Sequence, residues 1–577
     1  MNWDRRAWTN FSQVVSVRPE RHCYPESLAD LVSLIRDAEA QVPPKRVRAV
    51  GSGWSFSDAA RTDDYLVETR RLNRSLDHVL ALCLDESVEM DGTFGYTHVE
   101  AGITLAELSL RLDGRRDNVF VTSGVVDPEV ANSAADPAGR RPGPARWALP
   151  TLPGAGGQTL AGAISTGTHG ADVRLAPLAD GVLALHLVGV GGTQHWIEGK
   201  RPLTSSAQLR EWYPGIYVHH DSDLLRAAQV AVGRFGIIYS VVLRVVPQFG
   251  LREVRHSTTW SLISEELATG DIFARVHSLQ IAMSPCSAPD GTRRCHVTTR
   301  TRTTDVPEST SNRRVDAVNQ LASLVGAVGP FIENCGEAAS AIIGRATVGP
   351  FVGSSLVKFG GPALSAALTQ LTRHLPGDAI AFVCDQANRR AAPQLTRLLV
   401  EYTLSLAQRP VTRVALGYEL IAEQAWVNEV CKGYSLEVFF DATSDRYLTI
   451  IDEHILPIFQ HHASRGVVVA GWVGIRFTGR SGAILGMQRW DRTVSMEVAV
   501  LRGVRGGHRV LRDVERVAVA HGATVHWGQE NHLDRTAVER AFPDIVQWRQ
   551  QLPKLGPGAG CSTTFENEFC RRRGLTL

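Results

Sequence analysis

The sequence predicts an α+β fold built from more than one domain, and three observations support this prediction. The chain has 577 residues, more than one hydrophobic core normally serves. Hydrophobic residues make up 44% of the chain and charged residues 21%, which is the balance of a globular protein. Segments with the period of a helix and segments with the alternation of a strand follow each other in mixed order. Periodicity and turn residues define the class no further.

The amino-terminal part of the chain contains the most readable elements. A helix is predicted over residues 27–40, because Ser27 and the residue three positions later have the spacing of a helix-capping pair. A strand is predicted over residues 46–50, and Thr104 marks the start of the next helix by the same capping pattern. Further along we expect a hairpin of residues 182–190 and 194–198, a helix over residues 223–232 and a strand over residues 237–246.

The remainder of the chain predicts a second domain and several less regular segments. Residues 125–146, rich in Pro, Ala, Gly and Arg, predict a surface insertion. The apolar stretch 321–371 is interrupted by charged residues and predicts helices in a core or lining a pocket, with loose membrane contact as the alternative. The other expected elements are strands at 435–440 and 467–477, a helix at 393–406 and a long helix at about 507–521.

Charge and cysteine content exclude several classes of partner. The net charge is +2, and no basic stripe is present, so we expect no nucleic-acid binding. The nine cysteines form no CxxC pair, so neither a metal site nor a disulfide framework is expected. No apolar run follows the first residues, so we expect no secretory signal. A reducing cytoplasm is the expected location.

Two glycine-rich loops carry the chemical information in this sequence. The first is Gly51-Ser52-Gly53-Trp54-Ser55, and the second runs from Gly157 to Gly170. Loops of this kind present backbone N–H groups to an anion, as a pyrophosphate requires, because glycine lets the backbone approach closely. Each loop taken alone is also compatible with an ordinary tight turn. The dinucleotide fingerprint, the phosphate-binding loop, the zinc motif and the hydrolase elbow are all missing from the sequence.

Together the loops resemble the FAD-binding domain of the vanillyl-alcohol-oxidase (PCMH-type) superfamily, in its aldonolactone oxidase and alditol oxidase branch. The resemblance extends from about Arg18 to Pro247 and resumes at His526-Trp527-Gly528 and Phe565-Glu566-Asn567. It implies FAD as the cofactor, a small-molecule substrate, and oxygen or another electron acceptor. The fold that it implies is a two-subdomain FAD-binding domain over 1–248, an α+β substrate (cap) domain over 249–504, and a segment 505–577 that returns to the FAD site.

The resemblance also assigns cofactor contacts to individual positions. No metal is implied. The positions matching the family's FAD contacts are Gly51, Ser52, Gly53, Trp54, Ser55, Gly157, Gly162, Ser165, Thr166, Gly167, Thr168, His169, Gly170, Gly236, Ile237, His526 and Asn567.

Three departures from the family pattern occur at positions that the resemblance assigns to the flavin or the substrate. Many members have a histidine bonded to the flavin where this chain has Trp54, so the resemblance implies non-covalent FAD, with Trp54 packed against the flavin or only within its loop. Gly474 stands in place of the glutamate of the family's Glu-x-Arg pair. Gln529 stands where the family often has lysine, and His532 lies one position past the family's histidine. The missing carboxylate favours a substrate less hydroxylated than a polyol or sugar lactone.

The candidate catalytic residues are therefore Arg476, Gln529, Glu437 and His532. Arg476 either stabilises negative charge on the flavin or an alkoxide or is a buried structural arginine. Glu437, like Glu497, lies alone in an apolar strand pattern, where a carboxylate either becomes a base or pairs with an arginine. We expect an FAD-dependent oxidoreductase that transfers a hydride from a CH–OH or CH–NH carbon to flavin. The alternative is a flavin-binding protein without oxidase activity, used for binding or scaffolding.

Overall fold

The computed structural model describes residues 2–88, 94–114, 146–288, 290–307, 407–420, 432–556, 558–560 and 562–576, with scattered positions between 381 and 405. The chain forms two compact units. The first unit comprises Met1–Phe249, Thr478–Thr493 and Thr524–Leu577, and the second comprises Gly250–Phe477 and Val494–Ala523. Each unit is therefore assembled from segments that are far apart in the sequence.

The first unit is built on two main sheets, in addition to a small antiparallel pair of strands, β2 and β3. One has the strand order β1-β4-β6-β5, and the other has the order β11-β10-β9-β12-β7, with β8 paired to β12. The strands up to Phe249 are β1 (Asn2–Asp4), β2 (Trp8–Thr9), β3 (Ser16–Val17), β4 (Arg21–Tyr24), β5 (Val47–Val50), β6 (Tyr65–Glu68), β7 (Gly95–Glu100), β8 (Trp147–Ala148), β9 (Val182–Val188), β10 (Gln194–Glu198), β11 (Tyr217–His220) and β12 (Ile237–Pro247).

Both sheets contain parallel and antiparallel pairs, since β1 is antiparallel to β4 and β11 is parallel to β10. Strands β4, β6 and β5 are parallel neighbours, whereas β9 and β10 form the antiparallel hairpin that the sequence predicts. Strand β12 is buried over most of its length between β9 and β7, which explains its continuous run of apolar residues.

Helices cover these sheets, and their ends follow the predicted capping residues. Ser27 Oγ accepts a hydrogen bond from Asp30 N at 3.1 Å, and Thr104 and Glu107 form a complete capping box. The apolar face of the first helix enters the core through Leu31, Leu34, Ile35 and Ala38. The helices of this part are α1 (Leu28–Ala40), α2 (Asp77–Cys83), α3 (Leu105–Leu112), α4 (Leu160–Ser165), α5 (Ser206–Trp212) and α6 (Ser222–Gln229).

The second unit is organised around a sheet with the order β16-β13-β15-β14-β18-β19-β17. Its strands are β13 (Gly250–Thr259), β14 (Ser278–Met283), β15 (Arg294–Thr303), β16 (Val411–Leu416), β17 (Gly433–Asp441), β18 (Gly471–Gly479) and β19 (Arg492–Leu501). Its helices are α7 (Trp260–Thr269), α8 (Ile272–Arg275), α9 (Arg446–Ile450), α10 (Leu456–Ser464) and α11 (Gly507–Ala520).

The chain returns to the first unit after α11. The returning segment contains β20 (Thr524–Val525), α12 (Arg535–Ala541), α13 (Ile545–Gln551) and α14 (Glu568–Arg572). Short 3₁₀ helices occur at Thr69–Arg71, Leu178–Gly181, Val190–Gly192 and Leu552–Leu555, and one π-helical turn at Ile451–Ile455.

The combination of sheets and helices in each unit confirms the predicted α+β class. One predicted element is shorter than expected: α6 ends at Gln229, because Val232 and Gly233 both take a positive φ and turn the chain. None of the helices among the described residues combines the length and apolar character that crossing a bilayer requires. The predicted stretch 321–371 and nearly all of the predicted insertion 125–146 lie outside the described residues, as does part of the predicted helix 393–406.

Candidate functional site

Arg48, the second residue of β5, ties its strand to three other backbone segments of the first unit. Its buried guanidinium donates to Ala59 O (3.0 and 2.5 Å), Val232 O (2.6 Å), Gly233 O (3.1 Å) and Phe565 O (2.8 Å). A planar cation with five donors in a fixed fork suits this task, because it can satisfy several carbonyl groups at once. Arg48 thus fixes the loop that follows β5 against the turn before β12.

The two glycine loops meet the returning segment at Gly528. A Cβ atom at Gly528 would lie 3.2 Å from Ser55 Oγ, 3.2 Å from Thr166 Oγ1 and 3.3 Å from His526 Cε1. Phe56 N donates to Gly528 O at 2.7 Å, and Ser57 Oγ donates to Trp527 O at 2.8 Å. The structure therefore brings together three segments that only the family resemblance connects in the sequence.

Several of the predicted glycines are required by close approach. A Cβ atom at Gly51 would lie 1.8 Å from Thr159 Oγ1, one at Gly170 would lie 2.2 Å from Leu152 O, and one at Gly157 would lie 2.6 Å from Trp54 Cζ2. Real Cβ atoms do not approach other atoms so closely. The loops therefore use glycine to pack backbone directly against backbone and side chain.

Polar atoms are buried in these loops without a protein partner. Among the described residues, Ser52 Oγ, Thr159 Oγ1 and Gln158 Oε1 are inaccessible to solvent and have no hydrogen-bond partner. Buried polar atoms in proteins are nearly always paired, so such a group points to a bound partner. Two hydroxyl donors beside closely packed glycine backbone suit the oxygens of a diphosphate, and the amide oxygen suits a donor group. The residues present in the first unit fit FAD.

Trp54 packs between Phe11 and Gly157 in the first unit. Its ring stacks on Phe11 with the centroids 4.7 Å apart and an interplanar angle of 18°, and its edge contacts the backbone at Gly157. Stacking of this kind holds the indole in one orientation. The packing of Trp54 against the flavin stays a prediction.

His169 and His526 lie close together in the first unit, with ring centroids 5.9 Å apart. Both side chains are buried. His169 Nδ1 lies 2.9 Å from Gly170 O, which can only accept, so Nδ1 carries the proton. His526 Nδ1 accepts from Gly528 N at 2.9 Å, so the neutral His526 ring carries its proton on Nε2.

The turn before β12 is held in an unusual backbone conformation. Val232 has a φ of 50°, Gly233 of 72° and Gly236 of 137°. A positive φ is rare for a β-branched residue and costs about 1–2 kcal/mol. Val232 N donates to Ser165 O at 3.1 Å, and its carbonyl accepts from Arg48, so contacts on both sides impose the conformation. The predicted cofactor residue Ile237 follows at once and is buried in β12.

The remaining predicted residues of the returning segment take different positions. Asn567 caps α14 through Cys570 N at 3.1 Å and donates to Ala59 O and Arg61 O at 2.9 and 3.0 Å, so its side chain fastens the segment beyond the first glycine loop. Gln529 N donates to His526 O at 3.4 Å, and His532 is exposed.

Arg476 of the second unit is held by two carboxylates. Its Nη2 atom forms a short ion pair with Glu497 Oε2 and lies 3.3 Å from Glu437 Oε1. Ser435 Oγ donates to Glu497 Oε1 at 2.8 Å. Burial by itself would lower the pKa of Arg476, but the charges of Glu437 and then Glu497 outweigh it and raise that pKa above its ordinary value. The cluster of Arg476, Glu437 and Glu497 carries a formal charge of −1 when both carboxyl groups are ionised.

Gly474 lies on the same face of β18 as Arg476, two residues earlier in the strand. It pairs with Ala282 of β14, and Arg476 pairs with Gln280. A Cβ atom at Gly474 would meet its nearest neighbours at 3.8 Å, in ordinary van der Waals contact. The position can therefore accept the first atom of a side chain, in contrast to Gly51 and Gly157.

The amino-acid sequence is similar to those of several known proteins. The chain is 28% identical over 249 residues to a D-arabinono-1,4-lactone oxidase of Eremothecium gossypii, which covers 43% of this chain and 35% of that protein. It is 29% identical over 255 residues to an L-gulono-1,4-lactone dehydrogenase of Mycobacterium tuberculosis, which covers 44% of each.

The chain is similar to the aldonolactone oxidases. The predicted resemblance is thereby confirmed, and the chain spans less than half the length of the curated relatives it matches. No family model matches the chain. A cholesterol oxidase from Brevibacterium sterolicum superposes with a TM-score of 0.61 at 13% identity over 99% of this chain and 97% of that one. The chain therefore has the fold of cholesterol oxidase.

Sequence reasoning missed two features of the site. Arg48 lies in the predicted strand 46–50 and was assigned no role, although an arginine between apolar residues directly before such a loop was a usable signal. The sequence indicated a possible partner for Arg476 and for each glutamate separately, but not that all three side chains meet. The three side chains come from three strands that are neighbours in the sheet and far apart in the sequence.

Proposed function

We propose that this chain is an FAD-dependent oxidoreductase that oxidises a CH–OH donor. The observation that carries the proposal is the meeting of Ser55, Thr166 and His526 around Gly528, beside buried hydroxyl groups that lack a protein partner. The similarity to proteins named lactone oxidases and dehydrogenases supports it.

The cofactor would be held by the two glycine loops, the turn at residues 232–237 and the segment at His526. Bound flavin supplies the acceptor for a hydride. The close backbone approach at Gly51 and Gly170 favours a diphosphate over bulkier groups. Trp54 cannot form the bond that a histidine makes in many family members, so we propose that FAD is held non-covalently.

The Arg476 cluster is the polar group that we propose to meet the substrate. Glu437 is the proposed acceptor of the proton of the donor hydroxyl, and the guanidinium of Arg476 holds the oxygen in place. Oxygen or another acceptor reoxidises the cofactor, and the proposed location is the cytoplasm. A CH–NH donor would use the same hydride transfer.

The first test concerns the cofactor. The purified protein should be yellow and contain FAD, and Ser52→Ala should weaken FAD binding by about tenfold because it removes a hydrogen bond to a charged group. Ser261→Ala, at an exposed serine of the second unit, is the matched control. A colourless wild-type protein that binds no added FAD would contradict the cofactor proposal.

The second test concerns the reaction. Anaerobic mixing with L-gulono-1,4-lactone, D-arabinono-1,4-lactone, polyols, sterols and amines should bleach the flavin with at least one CH–OH donor. Arg476→Ala should retain FAD and slow the bleaching by roughly a hundred- to a thousandfold, since it removes an electrostatic stabiliser. FAD that no donor reduces would favour the alternative, a flavin-binding protein without oxidase activity.

A further inference from the structure

The carboxylate missing at position 474 has a counterpart on the neighbouring strand. A Cβ atom at Gly474 on β18 would lie 3.8 Å from both the Cβ and the Oε2 atoms of Glu497 on β19. Strands β18 and β19 are neighbours in the sheet. The carboxylate of Glu497 therefore occupies the space that a side chain at position 474 would enter.

Glu497 also has the charge partner that a glutamate at position 474 would have. Its Oε2 atom pairs with Arg476, and residues 474 and 476 share one face of β18. Ser435 holds the other oxygen at 2.8 Å. The guanidinium–carboxylate pair of the family pattern is thus kept in space although it is broken in the sequence.

The two glutamates of the cluster differ in exposure. The Glu437 side chain is 2% exposed, whereas those of Arg476 and Glu497 are 13% and 17% exposed. Glu437, the more buried of the two, holds Arg476 from the buried side. Glu497 retains surface through which a ligand can reach its carboxylate, which has four lone-pair positions for accepting hydrogen bonds.

We infer that Glu497 has replaced the missing carboxylate from the adjacent strand and accepts a hydrogen bond from a substrate hydroxyl group. The inference rests on the proposed function. It removes the argument from Gly474 for a less hydroxylated substrate: the site remains equipped for a polyol or a sugar lactone.

The replacement itself is tested by thermal unfolding, which needs no substrate. Glu497→Gly leaves Arg476 with one carboxylate, and Gly474→Glu crowds three carboxylates around one guanidinium. Each change should lower the unfolding midpoint by about 2–4 °C. The double variant Gly474→Glu with Glu497→Gly keeps the composition of the wild type and should recover most of the loss. A loss in the double variant equal to the sum of both single losses would overturn the replacement.

A neutral version of the exchange shows whether the negative charge is responsible for the recovery of the unfolding midpoint. Gly474→Gln with Glu497→Gly places a side chain of the same length without the negative charge. It should fail to recover the midpoint. Recovery equal to that of the glutamate would show that Glu497 fills space rather than pairs with Arg476, and the inference would be wrong.

Hydroxyl binding is tested by flavin reduction with L-gulono-1,4-lactone and with a polyol. Glu497→Gln should weaken apparent substrate binding by about 10- to 100-fold, the loss expected for a hydrogen bond to a charged group. The change should appear in KM more than in the limiting rate of reduction. Glu453→Gln, at an exposed glutamate of the same unit, should leave both unchanged.

The outcomes separate the inference from the proposed function. If the flavin is reduced equally well in the wild type and in Glu497→Gln, the inference is overturned and the proposed function remains intact. Wild-type flavin that no hydroxylated donor reduces would overturn the proposed function and the hydroxyl-binding role together. The unfolding comparison still decides whether Glu497 replaces the carboxylate.

Discussion

Replacing Arg48 should release the first glycine loop and the turn at residues 232–233 together. Arg48→Met keeps much of the apolar stem but removes hydrogen bonds to four carbonyl groups, those of Ala59, Val232, Gly233 and Phe565. A hydrogen bond contributes about 1 kcal/mol net, and an unsatisfied buried group costs at least as much. We therefore expect the free energy of unfolding to fall by about 4 kcal/mol.

The assay combines thermal unfolding with cofactor retention. For a chain of 577 residues the entropy of unfolding is about 1.2 kcal/mol per kelvin, so a loss of about 4 kcal/mol corresponds to a fall of about 3 °C in the unfolding midpoint. FAD should be lost during gel filtration, because the loop at Gly51 and the turn at Val232 no longer share one anchor. Arg48→Lys should recover only part of the effect, since one compact ammonium group cannot reach four carbonyls in the geometry of a guanidinium.

Arg61→Met is the matched control, because Arg61 is exposed in the segment that follows the same loop. It should change neither the midpoint nor the FAD content. An Arg48→Met protein that unfolds at the wild-type temperature and keeps its FAD would refute the reasoning, since the four carbonyl groups would then find equivalent partners without the arginine.

Three further predictions concern the cofactor, the loops and the response to pH. Acid precipitation should release all FAD into the supernatant, because Trp54 cannot bond to the flavin; flavin that stays in the pellet would contradict this. Gly157→Ala should displace the Trp54 ring and weaken FAD binding, whereas Gly181→Ala, with open space around its Cβ position, should not; equal FAD titrations for both would show that the close approach is unimportant. Burial lowers the pKa of His98 and His186 to about 3, so the unfolded chain binds more protons below about pH 6.5, and the free energy of unfolding should fall with decreasing pH by about 1.4 kcal/mol per pH unit and histidine. Denaturant unfolding between pH 7 and pH 4 measures this slope, which His186→Phe should reduce, and a flat profile would contradict the pKa shifts.

Local signals in the sequence were sufficient for several of the regular elements. The capping pairs at Ser27 and Thr104 are satisfied within one helical turn, so the two helix starts follow from the sequence alone. The hairpin of β9 and β10 is equally local. Helix α6 is different: apolar residues continue to Val232, and the helix ends earlier because Arg48, 184 residues away, binds the Val232 carbonyl group.

The candidate site likewise combines features that local sequence predicts with features that depend on distant residues. The glycine loops were recognisable because close approach leaves few alternatives to glycine, as at Gly51 and Gly170. The compensation of Gly474 by Glu497 was hidden, because a vacant position in one strand and a carboxylate in the next have no fixed spacing along the chain. Which side chains meet across a sheet depends on strand order and register, and neither can be derived from the sequence of a single strand.

The contact between Arg48 and Phe565 also has a consequence for the order of events during synthesis. The two residues are 517 positions apart. At a ribosomal rate of about 5–20 residues per second, Arg48 leaves the ribosome roughly half a minute to two minutes before its last carbonyl partner. In a nascent chain the first glycine loop therefore lacks part of its anchor for nearly the whole time on the ribosome. Cofactor loading should follow release of the chain, and translation that stops short of residue 565 should give protein unable to retain the flavin.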